Sequence, residues 1–167
     1  MDSMSSPRLH CGRHSSLGNV YAVTTICRHR APLFLDPTNP AIIRKVIASV
    51  DARGVTSTFA WVAMPDHLHW LFQLQQGSLA QCMQSMKGVS SLQINRQRGG
   101  GGAIWQPGYH DHAVRADASL HNHARYILAN PIRAGLATTF GEYPHAWCRW
   151  PLEEIDDPRH PLCDRRR

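Results

Sequence analysis

The sequence predicts an α+β domain with a ferredoxin-like β-α-β-β-α-β sheet followed by additional helices. Two observations lead to this prediction. Short segments rich in β-branched residues recur along the chain, and the segments between them repeat their apolar residues at helical spacing. The chain has 167 residues, of which 43% are hydrophobic and 18% charged, as is typical of one folded domain. This fold hosts many functions, so the fold class alone does not determine what the protein does.

The first half of the chain supplies three predicted strands and one helix. The run NVYAVTTIC predicts a strand at residues 20–27, which is followed by a proline-rich loop. Pro40 opens a helix, AIIRKVIASVDARG, that ends at Gly54. The second and third strands are VTSTFAWVAM and HLHWLFQL. The intervening Pro65-Asp66 predicts a sharp turn, so these two strands form a hairpin.

The second half continues with helices around a fourth strand. Ser78 is the predicted N-cap of LAQCMQSMKGVSSLQINRQR, a helix that ends at the glycine run 99–102. The fourth strand is YHDHAVR. Ser119 starts the helix LHNHARYILAN, which Pro131 stops, and PIRAGL forms a short last helix. This order of elements completes the predicted fold.

Charge and cysteine content restrict the classes of function. The net charge of +6 favours a polyanionic partner, and nucleic acid is the commonest. The five cysteines are scattered and never spaced C-x-x-C, so neither a disulfide framework nor a structural zinc site is expected. Without a signal-peptide-like start or an apolar run that could span a bilayer, we expect a cytoplasmic protein. We expect a poorly ordered segment at 1–17, one domain at 18–150 and a polar basic tail at 151–167.

Two histidines, His67 and His69, occur in the predicted third strand, within MPDHLHWLF. Because alternate residues of a strand share a face, both imidazoles project to the same side and could bind one divalent metal ion. The alternative is a hydrogen-bonded pair on a half-exposed strand. His110 and His112 share a strand face in the same way and could form a second metal pair. The histidines of LHNHA lie on a predicted helix, where this spacing does not share a face, so joint binding is not expected.

A tyrosine and an asparagine lie one helical turn apart in RYILANPIRAGL. Tyr126 and Asn130 therefore share a helix face. A tyrosine hydroxyl is a usable nucleophile when a metal or a base assists it, and an asparagine oxygen suits a hard cation. The structural alternatives are that Tyr126 packs the helix on the sheet and that Asn130 is an N-cap before Pro131.

The two motifs occur with two further segments, MKGVSSLQIN and IWQPGYHDHAVR, between MPDHLHWLF and YILANPIRAGL. This series resembles the successive blocks of the REP-associated tyrosine transposases, which are single-tyrosine HUH enzymes of the IS200-like superfamily. MPDHLHWLF is similar to their MPNHxHxLL segment, and Asp66 stands where Asn is usual. The resemblance runs from about residue 20 to about residue 150.

The resemblance implies a metal-dependent enzyme that nicks and joins single-stranded DNA at hairpin-forming repeats, the repetitive extragenic palindromes. His67 and His69 would hold Mg²⁺ or Mn²⁺, with Asn130 at the position of the third ligand. Tyr126 would attack the scissile phosphate and form a 5′-phosphotyrosine link. The candidates for DNA contacts are the basic residues of the matching segments, Lys87, Arg115, Arg125 and Arg133.

Two other functions stay open at this point. A ferredoxin-like sheet can bind single-stranded nucleic acid by stacking without catalysis. A metal-dependent nuclease could instead use a water nucleophile, in which case Tyr126 is only structural. Trp70 and Trp105 are candidates for stacking on bases, although core packing is the expectation for both. The sequence is compatible with a monomer or a homodimer.

Overall fold

A five-stranded sheet carries the fold of this protein. The structure is a computed structural model that describes residues 15–114 and 120–155. The strands are β1 (Val20–Ile26), β2 (Thr56–Met64), β3 (His67–Leu74), β4 (His110–Val114) and β5 (Ala146–Cys148). Their order is β4-β1-β3-β2-β5, and every neighbouring pair is antiparallel. The first four strands have the order of a ferredoxin-like sheet, so the predicted fold class is confirmed.

Helices cover both faces of the sheet. They are α1 (Thr38–Ala52), α2 (Leu79–Gln97), α3 (Leu120–Leu128), α4 (Asn130–Arg133) and α5 (Leu152–Ile155). One face packs Trp70 and Phe72 of β3 against α1 and α2. The opposite face packs against Ala124 and Ile127 of α3 and Ile155 of α5. None of the helices in the described part of the chain is long and apolar enough to cross a membrane.

Two tryptophans anchor the face covered by α1 and α2. Trp70 is fully buried, and its Nε1 donates a hydrogen bond to Thr58 Oγ1 at 3.0 Å. Trp105 is also buried, and its Nε1 donates to Ser90 Oγ at 3.0 Å. A buried indole N–H needs such a partner, because its desolvation is otherwise uncompensated. Both tryptophans are therefore core residues, as expected, and neither forms a stacking surface for bases.

The register of the three central strands decides what surrounds the two histidines. Thr24 of β1 lies opposite His69, and Val62 of β2 lies opposite it on the other side. Directly opposed residues of an antiparallel pair point to the same face. Val62 belongs to the core that packs against α3. His67 and His69 therefore project from the face that α3, the helix of Tyr126, covers.

The last part of the chain differs from the prediction. The edge strand β5 is absent from the prediction, because three residues are too few to show an alternating pattern. Asn130 does not act as an N-cap. It is the first residue of α4, Ala129 precedes it in helical conformation, and no side chain caps the helix. The polar tail expected from residue 151 begins with α5, where Ile155 is 2% exposed.

Candidate active site

The two histidines of β3 direct their outer ring nitrogens at each other. His67 Nε2 and His69 Nε2 are 3.1 Å apart, and the ring planes are perpendicular. Two nitrogens bound at about 2.1 Å to one octahedral ion are separated by about 3 Å. The pair therefore has the spacing of two ligands to one ion, and neutral imidazole nitrogen suits a divalent metal.

The Nδ1 atom of each imidazole, on the side of the ring away from the other histidine, has a hydrogen-bond partner. His67 Nδ1 lies 2.5 Å from Asp66 Oδ1, and His69 Nδ1 lies 2.8 Å from Thr24 Oγ1. Such partners fix ring orientation and tautomer in metal sites. The sequence predicts neither of these supporting roles. Thr24 is 45 residues from His69 and meets it only through strand pairing, whereas the sequence places Asp66 only in a turn.

Local electrostatics keep His69 available as a ligand. Burial, followed by the charges of His67 and Arg133, lowers the pKa of His69 from 6.5 to about 4. His69 is thus uncharged at neutral pH, as a metal ligand must be. Partial burial alone would raise the pKa of Asp66, but hydrogen bonds and positive charge from His67 and Arg30 lower it below its usual value. Asp66 is therefore a carboxylate at neutral pH.

Tyr126 is the tyrosine that solvent reaches most readily. It lies on α3 and is 65% exposed. The hydroxyl of Tyr21 is occupied by the backbone N–H of Ser16, and that of Tyr143 donates to a backbone carbonyl of β2 at 2.8 Å. Burial raises the pKa of both Tyr109 and Tyr143. Among the four tyrosines of the chain, Tyr126 is the most exposed to solvent.

Hydrogen bonds hold the side-chain amide of Asn130 on both of its polar atoms. Its Nδ2 donates to the carbonyl of Ile127 at 2.9 Å, with a longer bond to that of Tyr126 at 3.4 Å. Oδ1 accepts a hydrogen bond from Arg133 Nη2 at 2.8 Å and has a second lone pair. The carboxamide is thus fixed in orientation, and its oxygen keeps one lone pair for a further partner.

Arg133 contacts both helical residues of the predicted site. Besides Asn130 Oδ1, its Nη2 contacts the carbonyl oxygen of Tyr126 at 3.1 Å. Its guanidinium carbon lies 4.3 Å from the centroid of the Tyr126 ring. The same positive charge contributes to the lowered pKa of His69.

In the part of the chain that the structure describes, no further acidic, histidine or cysteine side chain joins the histidine pair in a group that could hold a metal. Within residues 15–114 and 120–155, no three His, Cys, Asp or Glu side chains form a group that could hold a metal. The other histidines have different neighbours. His112 contacts His123 of α3, with ring centroids 5.5 Å apart, while His121 contacts Trp150 at 4.1 Å. The Asn130 amide stays the predicted third ligand.

The four basic residues expected to contact DNA occupy different surroundings. Lys87 belongs to the helical layer on the far side of the sheet from the histidines, and its Nζ donates to the carbonyls of Gln106 and Gly108 at 2.6 and 2.7 Å. Arg125 lies over the ring of Phe140 at 5.7 Å. Arg133 is in the site itself. The remaining candidate, Arg115, lies outside the described residues.

Comparisons with known proteins agree with this geometry. The sequence profile of the family described as "Transposase IS200 like" matches residues 17–130. A REP-associated tyrosine transposase of Escherichia coli (strain K12) is 26% identical over 134 residues, which cover 79% of this chain and 78% of that protein. A solved structure of a REP-associated tyrosine transposase bound to a REP hairpin superposes with a TM-score of 0.68. It is 26% identical in sequence, and the match covers 86% of this chain and 82% of that one.

Proposed function

The chain belongs to the IS200-like transposase family, and from that premise we propose that it is a metal-dependent enzyme that nicks and joins single-stranded DNA through Tyr126. The observation that carries the proposal is the set of Arg133 interactions: it contacts the exposed Tyr126 and the Asn130 amide, and its charge lowers the pKa of His69. Residues 18–150, extended by α5, are the proposed catalytic unit.

His67, His69 and Asn130 are the residues that would hold Mg²⁺ or Mn²⁺. The fit rests on the 3.1 Å separation of the two Nε2 atoms and on an amide oxygen that retains a free lone pair. When bound, the ion withdraws negative charge from a scissile phosphate and so favours attack by an oxygen nucleophile. Two nitrogens and one oxygen leave coordination positions for water and for the phosphate itself.

The covalent step is a transfer of the phosphoryl group to the chain. The Tyr126 oxygen attacks the phosphorus of a phosphodiester as its own proton passes to water, and the bond from phosphorus to the 3′ oxygen breaks. That oxygen takes a proton and leaves as a 3′-hydroxyl, while the 5′ phosphate stays on Tyr126. A 3′-hydroxyl can reverse the step, because the link conserves the energy of the bond. Arg133 orients Tyr126 before the attack.

The proposed substrate is single-stranded DNA that folds into a hairpin, by analogy with the hairpin-bound relative. The net charge of +6 is suited to a phosphate backbone. Arg133 is the candidate DNA contact nearest the nucleophile, since its side chain is exposed and lies on the Tyr126 ring. Arg125, which precedes Tyr126 on α3, and Arg115, which comes before α3 in the sequence, are also proposed to contact the DNA backbone.

The test is covalent capture of end-labelled hairpin DNA taken from repeats that flank the protein's own gene. We expect a labelled protein band that survives denaturation, needs Mn²⁺ or Mg²⁺ and is abolished by EDTA, by Tyr126→Phe and by His67→Ala. Tyr143→Phe is the matched control and should retain the band. Metal-dependent cleavage without a band, unchanged in Tyr126→Phe, would show a water nucleophile. Binding without cleavage of these repeats would indicate a non-catalytic module.

A further inference from the structure

The Nδ1 atoms of the two histidines have chemically different hydrogen-bond partners. His67 Nδ1 faces a carboxylate, that of Asp66, whereas His69 Nδ1 faces the neutral hydroxyl of Thr24. A carboxylate can only accept a hydrogen bond, but a hydroxyl can accept or donate. When His67 carries one ring proton, that proton is therefore on Nδ1, where Asp66 accepts it, and Nε2 has a lone pair. His69 is not restricted in this way.

The contact between the two rings relates the tautomer of His69 to that of His67 when no metal is bound. With a lone pair on His67 Nε2, the 3.1 Å contact is a hydrogen bond in which His69 Nε2 donates its proton. His69 Nδ1 then accepts from the Thr24 hydroxyl. To bind a metal, His69 must move its proton to Nδ1, and Thr24 permits this by rotating its hydroxyl to accept. His67 needs no such change.

Arg30 holds the Asp66 carboxylate in place. Its Nη1 donates to Asp66 Oδ2 at 3.1 Å, which leaves Oδ1 for His67. Arg30 belongs to the 3₁₀ turn Arg28–Arg30, in which His29 and Arg30 have φ of 55° and 51°. Left-handed conformations of non-glycine residues cost about 1 kcal/mol or more each and persist only where the surroundings impose them. The backbone N–H of Cys27, just before this turn, donates to the carbonyl of Asp66 at 2.8 Å and so joins the two segments.

From these contacts we propose that Asp66, oriented by Arg30, is a positioning residue that preorganises His67 as the fixed ligand of the metal site, while His69 is the ligand that switches tautomer. The inference rests on the proposed function. The Asp66 carboxylate also polarises the His67 ring, which makes Nε2 a better electron-pair donor. The Arg30 side chain is 61% exposed, so its ion pair with Asp66 contributes little stability. Its role is to orient the Asp66 carboxylate towards His67.

The first test is the affinity for Mn²⁺, measured by calorimetry on the full chain without DNA. Asp66→Asn keeps the shape and an acceptor oxygen but removes the charge, and we expect affinity to fall about tenfold. Arg30→Met should weaken affinity by a smaller factor. The matched control is Asp36→Asn, since that carboxylate bonds to the backbone and side chain of Thr38 and should not affect affinity. Circular dichroism and the melting temperature verify that each variant is folded.

The second test reads the tautomers directly in ¹⁵N NMR spectra of the wild-type histidine rings. Without metal, we expect His67 protonated at Nδ1 and His69 protonated at Nε2, and Mg²⁺ should move the His69 proton to Nδ1. A metal-free His67 protonated at Nε2 would overturn the proposal even if Asp66→Asn failed to fold. Wild-type Mn²⁺ affinity in a folded Asp66→Asn protein would overturn it while leaving the proposed function intact. A wild-type protein that binds no Mn²⁺ would overturn both.

Discussion

Replacing Arg133 by alanine should slow covalent attachment of DNA even when DNA saturates the enzyme. The change removes a hydrogen bond to Asn130 Oδ1, a hydrogen bond to the Tyr126 carbonyl and the guanidinium over the Tyr126 ring. An exposed cation–π contact contributes about 0.5–1 kcal/mol, and a hydrogen bond about 0.5–1.5 kcal/mol. Because the side chain is exposed, we take the lowest part of the summed range, about 1.5–2 kcal/mol. That corresponds to about a 10- to 30-fold slower step.

The assay is the single-turnover rate of covalent product at increasing concentrations of hairpin DNA. The matched control is Arg149→Ala, because Arg149 also lies over an aromatic ring, that of Phe59 at 4.4 Å, and also donates a side-chain hydrogen bond. The control should react at the wild-type rate with saturating DNA. If raising the DNA concentration restores the Arg133→Ala rate, Arg133 only binds DNA and does not position Tyr126. An unchanged rate at every concentration would refute both roles.

Three further predictions concern stability and pH. Tyr143→Phe should lower the free energy of unfolding by about 1 kcal/mol, because it removes the hydrogen bond to the Ala63 carbonyl; equal urea midpoints for variant and wild type would contradict this. Lys87→Met should lower the free energy of unfolding by about 1.5–3 kcal/mol, because it removes a charged donor from two carbonyls. The salt dependence of DNA binding should not change in this variant, and a shallower dependence would show that Lys87 contacts a phosphate. The pKa of His69 is lowered to about 4 in the folded protein, so the unfolded chain binds a proton at this residue more readily. The metal-free protein should therefore lose stability as pH falls from 6.5 towards 4, by about 3 kcal/mol for this group. In urea titrations at both pH values, His69→Gln should lose less stability than the wild type, and equal losses would show that His69 is not held neutral.

The sequence was most informative where a local pattern and the tertiary structure agree. The third predicted strand, HLHWLFQL, coincides with β3, because the alternation of its side chains reflects the two faces of the sheet. Ser78 caps α2 as expected, and Gln81 completes a capping box with it. In these cases the chemistry that defines the element lies within a few residues, so a single sequence contains it.

The sequence is less informative where distant residues decide the outcome. Asn130 before Pro131 has the composition of an N-cap, the structural alternative for this residue, but its amide is bonded to the preceding turn and to Arg133 instead. Lys87 is a predicted DNA contact by resemblance alone, and no local pattern shows that it also bonds α2 to the loop before β4. The support of His69 by Thr24 depends on pairing between β1 and β3, which no local pattern specifies.

The two halves of the site differ in how they are attached to the protein. His67 and His69 lie on a strand bonded on both sides, so displacing them would require a shift of register that turns every side chain of β3 to the other face. Tyr126 lies on a nine-residue helix that rests on the sheet through Ala124, Ile127 and Leu128. A single cavity-forming substitution under α3 can therefore tilt the proposed nucleophile, together with the Asn130 amide that is bonded to Ile127, without displacing the two histidines. Mutations that abolish strand transfer while the histidine pair stays intact should therefore be more common in this protein than the reverse.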